Sequence, residues 1–406
     1  MTLNKDSSNG SFIITLCLSI FCAQNYTKLL LTSGFLMYNI LLLGQNQYQN
    51  IDRHAIKAPK SVSTDISKLH TYLQQNTSSD KEKLRSVFIW IVSHISYDKA
   101  ESNLKHPPKK EINDILSSKK AICTGYADLL KTLCQISEIP AYVISGYSRP
   151  NGTSSDMKSQ SDHAWNAVYL DSSWYLVDAT WAASGYRQAS NKEISSAVGA
   201  YYLMDPTLAL QTHIPAQPWW QLVNCPVPMV ILSGSPKMIN DYIRDTTCTY
   251  SFRDTIQYLM SLSQNDLKLY EHKAAYEFYP TVANAQHYSS TIMDIVGSES
   301  EELIQWQSSD KIDSLIYRQD YLLTLCRSAA NISTLYPYQK ELFIENMINH
   351  LVALYNQSKG KPNKSLKTKL SGLIKEVEIL LLNTPESYYT RHAEELCKEY
   401  KLVLGF

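Results

Sequence analysis

The amino-acid sequence predicts an α+β fold, in which a mixed domain of helices and strands is followed by an all-helical C-terminal domain. Two patterns carry this prediction. In residues 63–181, stretches with apolar residues at the three- and four-residue spacing of helices are followed by short apolar runs typical of strands. From about residue 237 onward the apolar positions follow helical spacing alone. The chain has 406 residues and is 44% apolar, enough for about two or three domains with real cores.

The overall charge and the cysteine spacing exclude several classes of function. Lysine plus arginine number 38, as do aspartate plus glutamate, so the sequence offers no basic surface for nucleic acid. The eight cysteines form no C-x-x-C pair and no zinc spacing. No acidic calcium loop is present either. We therefore predict no metal and no cofactor. An even number of cysteines permits disulfides, but the spacing demands none.

The N-terminal residues 1–44 are predicted to be a signal peptide or hydrophobic leader. Apolar runs at 12–23 and 29–44 are shorter than a comfortable membrane span. Lys28 precedes the second run and small or polar residues follow it, which is typical of a secretory signal peptide. An uncleaved anchor or hairpin is the alternative. Both place the mature domain outside the cytoplasm (secreted, periplasmic or membrane-anchored), and any membrane association is expected only through this segment.

After the leader, residues 45–62 are predicted to be a polar connector, and 63–228 the mixed domain. A helix is expected over 63–76, with its apolar residues on one face. The run Ser79-Asp80-Lys81-Glu82 is a capping box that starts a second helix, which ends near residue 96. A short helix over 110–117 leads to Cys123.

Cys123 is predicted to open a helix, because Ala127, Leu130 and Cys134 recur at three- and four-residue spacing after it. The positive end of a helix dipole stabilises a thiolate, which is the nucleophilic form of cysteine. Thr124 and Gly125 would let a substrate backbone approach the sulfur closely. We expect Cys123 to be free and Cys134 to be buried on the same helix.

Three strands are expected at 140–147, from His163 onward, and at 174–180. The run 171–173, Asp-Ser-Ser, is turn chemistry, so the last two strands should form a hairpin. With a two-residue turn, His163 and Asp178 would lie on the same face as diagonal neighbours within side-chain reach. Residues 182–200 are expected to be irregular.

A thiol, an imidazole and a carboxylate in this arrangement are the components of a nucleophilic triad. Cys123 would be the nucleophile and His163 the base, while Asp178 would fix the tautomer of the imidazole. Each residue also has a structural interpretation. Cys123 could be a small buried apolar residue, His163 a structural histidine, and Asp178 a turn or cap residue.

The motifs C-x-G-Y-A at 123–127, H-A-W-N at 163–166 and W-Y-x-V-D-A-T-W at 174–181 resemble the transglutaminase-like superfamily of papain-fold thiol enzymes, and within it the kyphoscoliosis peptidase-like subgroup. Later runs at 202–206 and 213–215 resemble the same subgroup. The resemblance covers roughly residues 62–225. It implies a papain-like transglutaminase-core domain with Cys123, His163 and Asp178 as nucleophile, histidine and acid. Tyr97 is a candidate for a side chain near the oxyanion.

The function expected is that of a thiol enzyme that attacks amide carbonyls of protein or peptide substrates through an acyl-enzyme. Water as acceptor would give a peptidase or deamidase, and an amine would give a transglutaminase. The alternative is a non-catalytic protein-binding module that retains the fold. Residues 229–406 are predicted to be helical, around 239–243, 256–260, 315–323, 343–354 and 366–382, with no residues that indicate chemistry. The sequence does not predict an oligomeric state.

The leader gives the first testable prediction. Residues 1–44 are apolar without an amphipathic pattern, so they should be absent from the mature protein. Mass spectrometry of protein from the native host should find an N-terminus near residue 45. An intact Met1 on protein from a soluble cytoplasmic fraction would contradict this.

Overall fold

The computed structural model describes residues 48–105, 107–150, 152, 158–188, 196–306 and 364–382, with scattered single positions between 321 and 401. The predicted leader lies outside these residues. Within them, no helix has both the length and the apolar character needed to cross a membrane. The chain divides into two compact units. Among the described residues, the first contains those of 48–141, 168–173 and 177–202, and the second contains those of 142–167 and 174–176 and those from 203 onward.

The first unit is mainly helical. Two short strands, β1 (Ser96–Tyr97) and β2 (Lys120–Ala121), pair in parallel within it. Its helices are α1 (Gln49–Ile56), α2 (Ile66–Leu73), α3 (Asp80–His94), α4 (Lys99–Ser102), α5 (Ile112–Ser118), α6 (Cys123–Ile136), α7 (Ala179–Gln188) and α8 (Ser196–Gly199).

Helix α3 is the centre of this unit. Ser79 caps its N-terminus by accepting the N–H of Glu82, as predicted. The carboxylate of Glu82 accepts the backbone N–H of Ser78, with 2.7 Å between nitrogen and oxygen. In an ideal capping box the donor would be the backbone N–H of the cap residue, here Ser79. Hydrogen bonds from Ser78 hold the pKa of Glu82 below its ordinary value. Every residue from 84 to 92 is buried, so α3 is enclosed on all sides rather than amphipathic.

The predicted connector contains helix α1, which packs on α3. Asp52 on α1 and Arg85 on α3 form a bidentate ion pair, with nitrogen–oxygen distances of 2.8 and 2.7 Å. Both side chains are buried, and the guanidinium lies 4.9 Å from the ring centroid of Tyr202. The sequence pattern missed this helix because its stabilising partner is distant in sequence.

Four strands form one sheet in the order β5-β4-β3-β6, namely β3 (Ala141–Ser148), β4 (His163–Leu170), β5 (Ser173–Val177) and β6 (His213–Pro215). Strands β3 and β6 are antiparallel, with Ser148 opposite His213. Asp171 and Ser172 connect β4 to β5 and have φ of 48° and 63°. Positive φ at both positions is typical of a type I′ turn, so the predicted hairpin is confirmed.

Gly146 in β3 is required by close packing. A Cβ at this position would lie 2.5 Å from Cη2 of Trp165 and 2.3 Å from the carbonyl oxygen of Ile214. Any side chain would therefore separate β3 from β6 or displace the indole.

Outside the sheet, the regular secondary structure described in the second unit is helical. Its helices are α9 (Pro206–Ala209), α10 (Met229–Leu232), α11 (Pro236–Asp245), α12 (Phe252–Leu259), α13 (Gln264–Phe278), α14 (Val282–Trp306) and α15 (Lys364–Leu382). Helices were predicted at the places of α11, α12 and α15, but α13 and α14 were not. The predicted helices at 315–323 and 343–354 lie outside the continuously described residues. The domain boundaries at 62/63 and 228/229 stay predictions.

One disulfide joins Cys225 to Cys248, with Cα atoms 5.7 Å apart. No spacing rule pointed to this pair. Cys123 is free and half-buried, and Cys134 is free and fully buried, as predicted for both.

The buried ion pair generates a stability prediction. Asp52→Asn leaves the Arg85 charge buried without its anion, so the free energy of unfolding should fall by ~3–5 kcal/mol. Glu277→Gln is the matched control, because it breaks an exposed pair with Lys273 and should change that free energy by ~0.5 kcal/mol or less. Chemical denaturation measures both. Equal effects of the two substitutions would contradict the importance of the buried pair.

Candidate active site

Cys123 is the first residue of α6, as predicted. The parallel pairing of Tyr97 with Ala121 fixes the chain two residues before it. Ile122 is the N-cap residue and makes no side-chain cap to the first N–H groups of the helix. The half-buried thiol therefore lies at the positive end of a 14-residue helix, where a thiolate is stabilised.

Gly125 has a packing role that differs from the predicted one. A Cβ at this position would lie 2.8 Å from Cβ of Ala121 and 3.1 Å from Cδ1 of Ile115. The glycine therefore lets α6 approach β2 and α5 closely. The predicted role of this glycine in access of a substrate backbone to the sulfur stays a prediction.

His163 begins β4, as predicted, and its side chain is buried. The preceding residue, Asp162, fixes this end of the strand, because its carboxylate accepts the backbone N–H of Ser148 at 2.7 Å. The imidazole stacks on Trp165 with ring centroids 5.7 Å apart. A second imidazole, that of His213 on β6, lies 5.5 Å away by the same measure.

Asp178 lies between β5 and α7 rather than inside a strand. The expected strand over 174–180 is shorter, because β5 ends at Val177, and the expected irregular stretch begins as a helix. Asp178 is fully buried, and its Oδ1 accepts the backbone N–H groups of Thr180 at 2.8 Å and Trp181 at 3.0 Å. These contacts are those of a helix N-cap. The alternative interpretation of Asp178 as a helix cap therefore holds for its Oδ1 oxygen.

The second unit thus holds two buried imidazoles beside one another, those of His163 and His213, and the first unit holds the half-buried thiol of Cys123 and the buried carboxylate of Asp178. His213 was not predicted as a site residue. Its only signal in the sequence was its membership of the 213–215 run, since the pairing of β6 with β3 is what places it. Imidazole nitrogens and carboxylate oxygens are also zinc ligands, so the expectation of no metal stays a prediction.

Tyr97, the candidate for the oxyanion site, lies opposite Ala121 and is 39% exposed. It is therefore adjacent to the strand that leads to Cys123. A role in binding an oxyanion stays a prediction.

Comparison with known proteins identifies the class. Residues 67–179 match the family model described as the transglutaminase-like superfamily. This part of the chain is a transglutaminase-like domain, in a mixed fold of helices and sheet.

Among curated proteins, the chain is similar to kyphoscoliosis peptidase of Homo sapiens, with 32% identity over 186 residues, and this supports the subgroup. The match covers 45% of this chain and 28% of that protein. Hillarin of Drosophila melanogaster is 26% identical over 197 residues, covering 45% of this chain and 24% of hillarin. The chain thus spans only about a quarter of the length of these relatives. A solved TGase structure has a TM-score of 0.23 at 22% identity, covering 36% of this chain and 37% of that chain.

The two contacts of Asp178 lead to a prediction for Asp178→Asn. Asparagine keeps an oxygen for the helix cap, so the free energy of unfolding should fall by ~1 kcal/mol or less. Turnover should fall more, by roughly 10–10³-fold, because a neutral amide can favour the wrong imidazole tautomer. Turnover and thermal midpoint are measured on the same sample.

Asp178→Ala is the matched variant, because it removes the cap as well and should lose a further ~0.5–2 kcal/mol. A large fall in the midpoint of Asp178→Asn, with unchanged turnover of the folded fraction, would make Asp178 purely structural.

Proposed function

We propose that this protein is a thiol enzyme that forms an acyl-enzyme on Cys123 from amide carbonyls of protein or peptide substrates. The observation that carries the proposal is the Cys123 thiol at the start of a helix, within a transglutaminase-like domain that also contains a buried imidazole at His163 and a buried carboxylate at Asp178. A base, its orienting acid and a helix-terminal thiol are what nucleophilic catalysis by cysteine requires.

In the proposed reaction His163 takes the proton of the Cys123 thiol, and the thiolate attacks the carbonyl carbon of the amide. Backbone N–H groups at the start of α6, beginning with that of Cys123, stabilise the oxyanion. The C–N bond then breaks, and the leaving amine takes the proton from His163. The carboxylate of Asp178 holds the imidazole in the required tautomer and stabilises its charged form. Water or an amine resolves the thioester, which gives hydrolysis or transamidation.

The second candidate function is a non-catalytic protein-binding module. It is favoured by the small fraction of each relative that the match covers, 28% of kyphoscoliosis peptidase and 24% of hillarin, since the activity of a whole relative does not transfer to one domain. Reactivity of the thiol distinguishes the two candidates, because a binding module has no need for an activated cysteine.

We further propose an extracytoplasmic location, with proteins or peptides outside the cytoplasm as substrates. The disulfide between Cys225 and Cys248 supports this, because disulfides persist mainly in oxidising compartments. Any membrane association is assigned to the hydrophobic segment within residues 1–44.

Alkylation tests the proposed nucleophile. Iodoacetamide at pH 6–7 should label Cys123 rapidly in the native protein, and His163→Ala should abolish the rapid phase. Cys134 is the internal control, because burial raises the pKa of its thiol to about 12 and removes it from solvent.

Activity tests the same assignment. Cys123→Ser should abolish acyl transfer to water or amines while the thermal midpoint stays near that of the parent, because serine is nearly isosteric but far less acidic. The readout is mass spectrometry of products formed from a protein mixture. Full activity in the serine variant would contradict the assignment of Cys123 as the nucleophile. Slow labelling of Cys123 in the parent protein would favour the non-catalytic binding module.

A further inference from the structure

The backbone carbonyl of Ile95 is shared by two side-chain donors from two different helices. Ile95 is fully buried and follows the last residue of α3. Its oxygen accepts the phenol O–H of Tyr126 at 2.6 Å. It also accepts an N–H from the guanidinium of Arg187.

One donor lies on the helix that begins with Cys123, and the other lies on the helix that Asp178 caps. Tyr126 is on α6, three residues after Cys123 and therefore about one turn away. Arg187 is in the last turn of α7, the helix whose first turn is capped by Asp178. Helix α7 packs against both α3 and α6. One acceptor at the end of α3 thus fixes the nucleophile helix and the helix that begins at the acid.

Helix α7 is held at both ends. Its first N–H groups are bound by the Asp178 carboxylate, and Arg187 binds Ile95 about 13 Å further along the helix axis. A rigid helix transmits a displacement of one end to the other, so the position of the Asp178 main chain depends on the Arg187 contact. The acceptor is a main-chain oxygen, so the identity of the side chain at residue 95 does not specify the contact.

The hydroxyl of Tyr126 remains a donor throughout the working pH range. Burial raises the pKa of this phenol to about 12, an effect that the hydrogen bond with Arg187 opposes and that the charges of Tyr97 and Asp178 reinforce. The contact therefore does not itself titrate near neutral pH.

We infer that Arg187 and Tyr126 are positioning residues, which through the Ile95 carbonyl hold α6 and α7 in the arrangement that places Asp178 correctly relative to Cys123. The inference rests on the proposed function. It assigns neither residue a contact with the substrate. If the contact served stability alone, its loss would change the population of folded protein but not the chemistry of the folded fraction.

The test uses Arg187→Gln, Tyr126→Phe and the double variant in the full chain. Arg53→Gln is the matched control, because Arg53 is on α1 of the same unit and bonds only the exposed Asn50 among the contacts described. The readouts are the alkylation rate of Cys123 from pH 5 to 9, turnover and KM, each corrected for the folded fraction.

Each single variant should lower the alkylation rate at pH 6 and turnover by about 10–100-fold, as expected for a displacement of about 1 Å in the catalytic geometry, with KM unchanged. The double variant should lose little more than the worse single variant, because both donors act through one acceptor. Arg187→Lys keeps one charged donor and should recover part of the loss. Arg53→Gln should match the parent.

Parent-like alkylation profiles and turnover in the folded fraction of Arg187→Gln and Tyr126→Phe would overturn the inference while leaving the proposed function intact. If Arg187→Gln fails to fold, Tyr126→Phe decides alone, since it removes a single hydroxyl. An unreactive Cys123 in the parent would instead overturn the proposed function, and this inference with it.

Discussion

The buried carboxylate of Asp178 fixes the point at which β5 ends and α7 begins, and the geometry of the candidate site depends on it. A carboxylate without solvent requires hydrogen-bond donors, and the first N–H groups of a helix supply them. Oδ1 of Asp178 accepts two of these groups, so the chain turns from strand to helix at the residue proposed as the acid. The same side chain therefore caps the helix and is the proposed acid. The geometry of the cap limits the directions in which the carboxylate can face an imidazole.

Polar contacts to α3 organise the rest of the first unit. The helix is enclosed on all sides, so its neighbours are specified by a few buried polar groups as well as by apolar packing. Arg85 on α3 binds Asp52 on α1. The carbonyl of Ile95, the residue after α3, accepts hydrogen bonds from Tyr126 and Arg187. Hydrogen bonds are directional, and it is costly to leave the buried Arg85 side chain or the buried Ile95 carbonyl unpaired, so such contacts select one arrangement among several with similar apolar burial.

The candidate site was predictable as far as its motifs extend. The thiol, the imidazole and the carboxylate were each identified from local context, and the structure buries the side chains of His163 and Asp178. Local context could not explain two other features. His213 lies beside His163 only because β6 pairs with β3, and residue 125 is a glycine because β2 and α5 pack closely against α6.

The sequence by itself determined the features that depend on interactions between residues only a few positions apart. The Ser79 cap, the start of α6 at Cys123 and the two-residue turn of the β4–β5 hairpin all depend on neighbours in the chain, and each lies where the pattern predicted it. Only the tertiary structure decided the formation of α1 and the sharing of the Ile95 carbonyl. Their partners are tens of residues away, and a buried polar group takes whichever donor or acceptor the assembled fold brings to it.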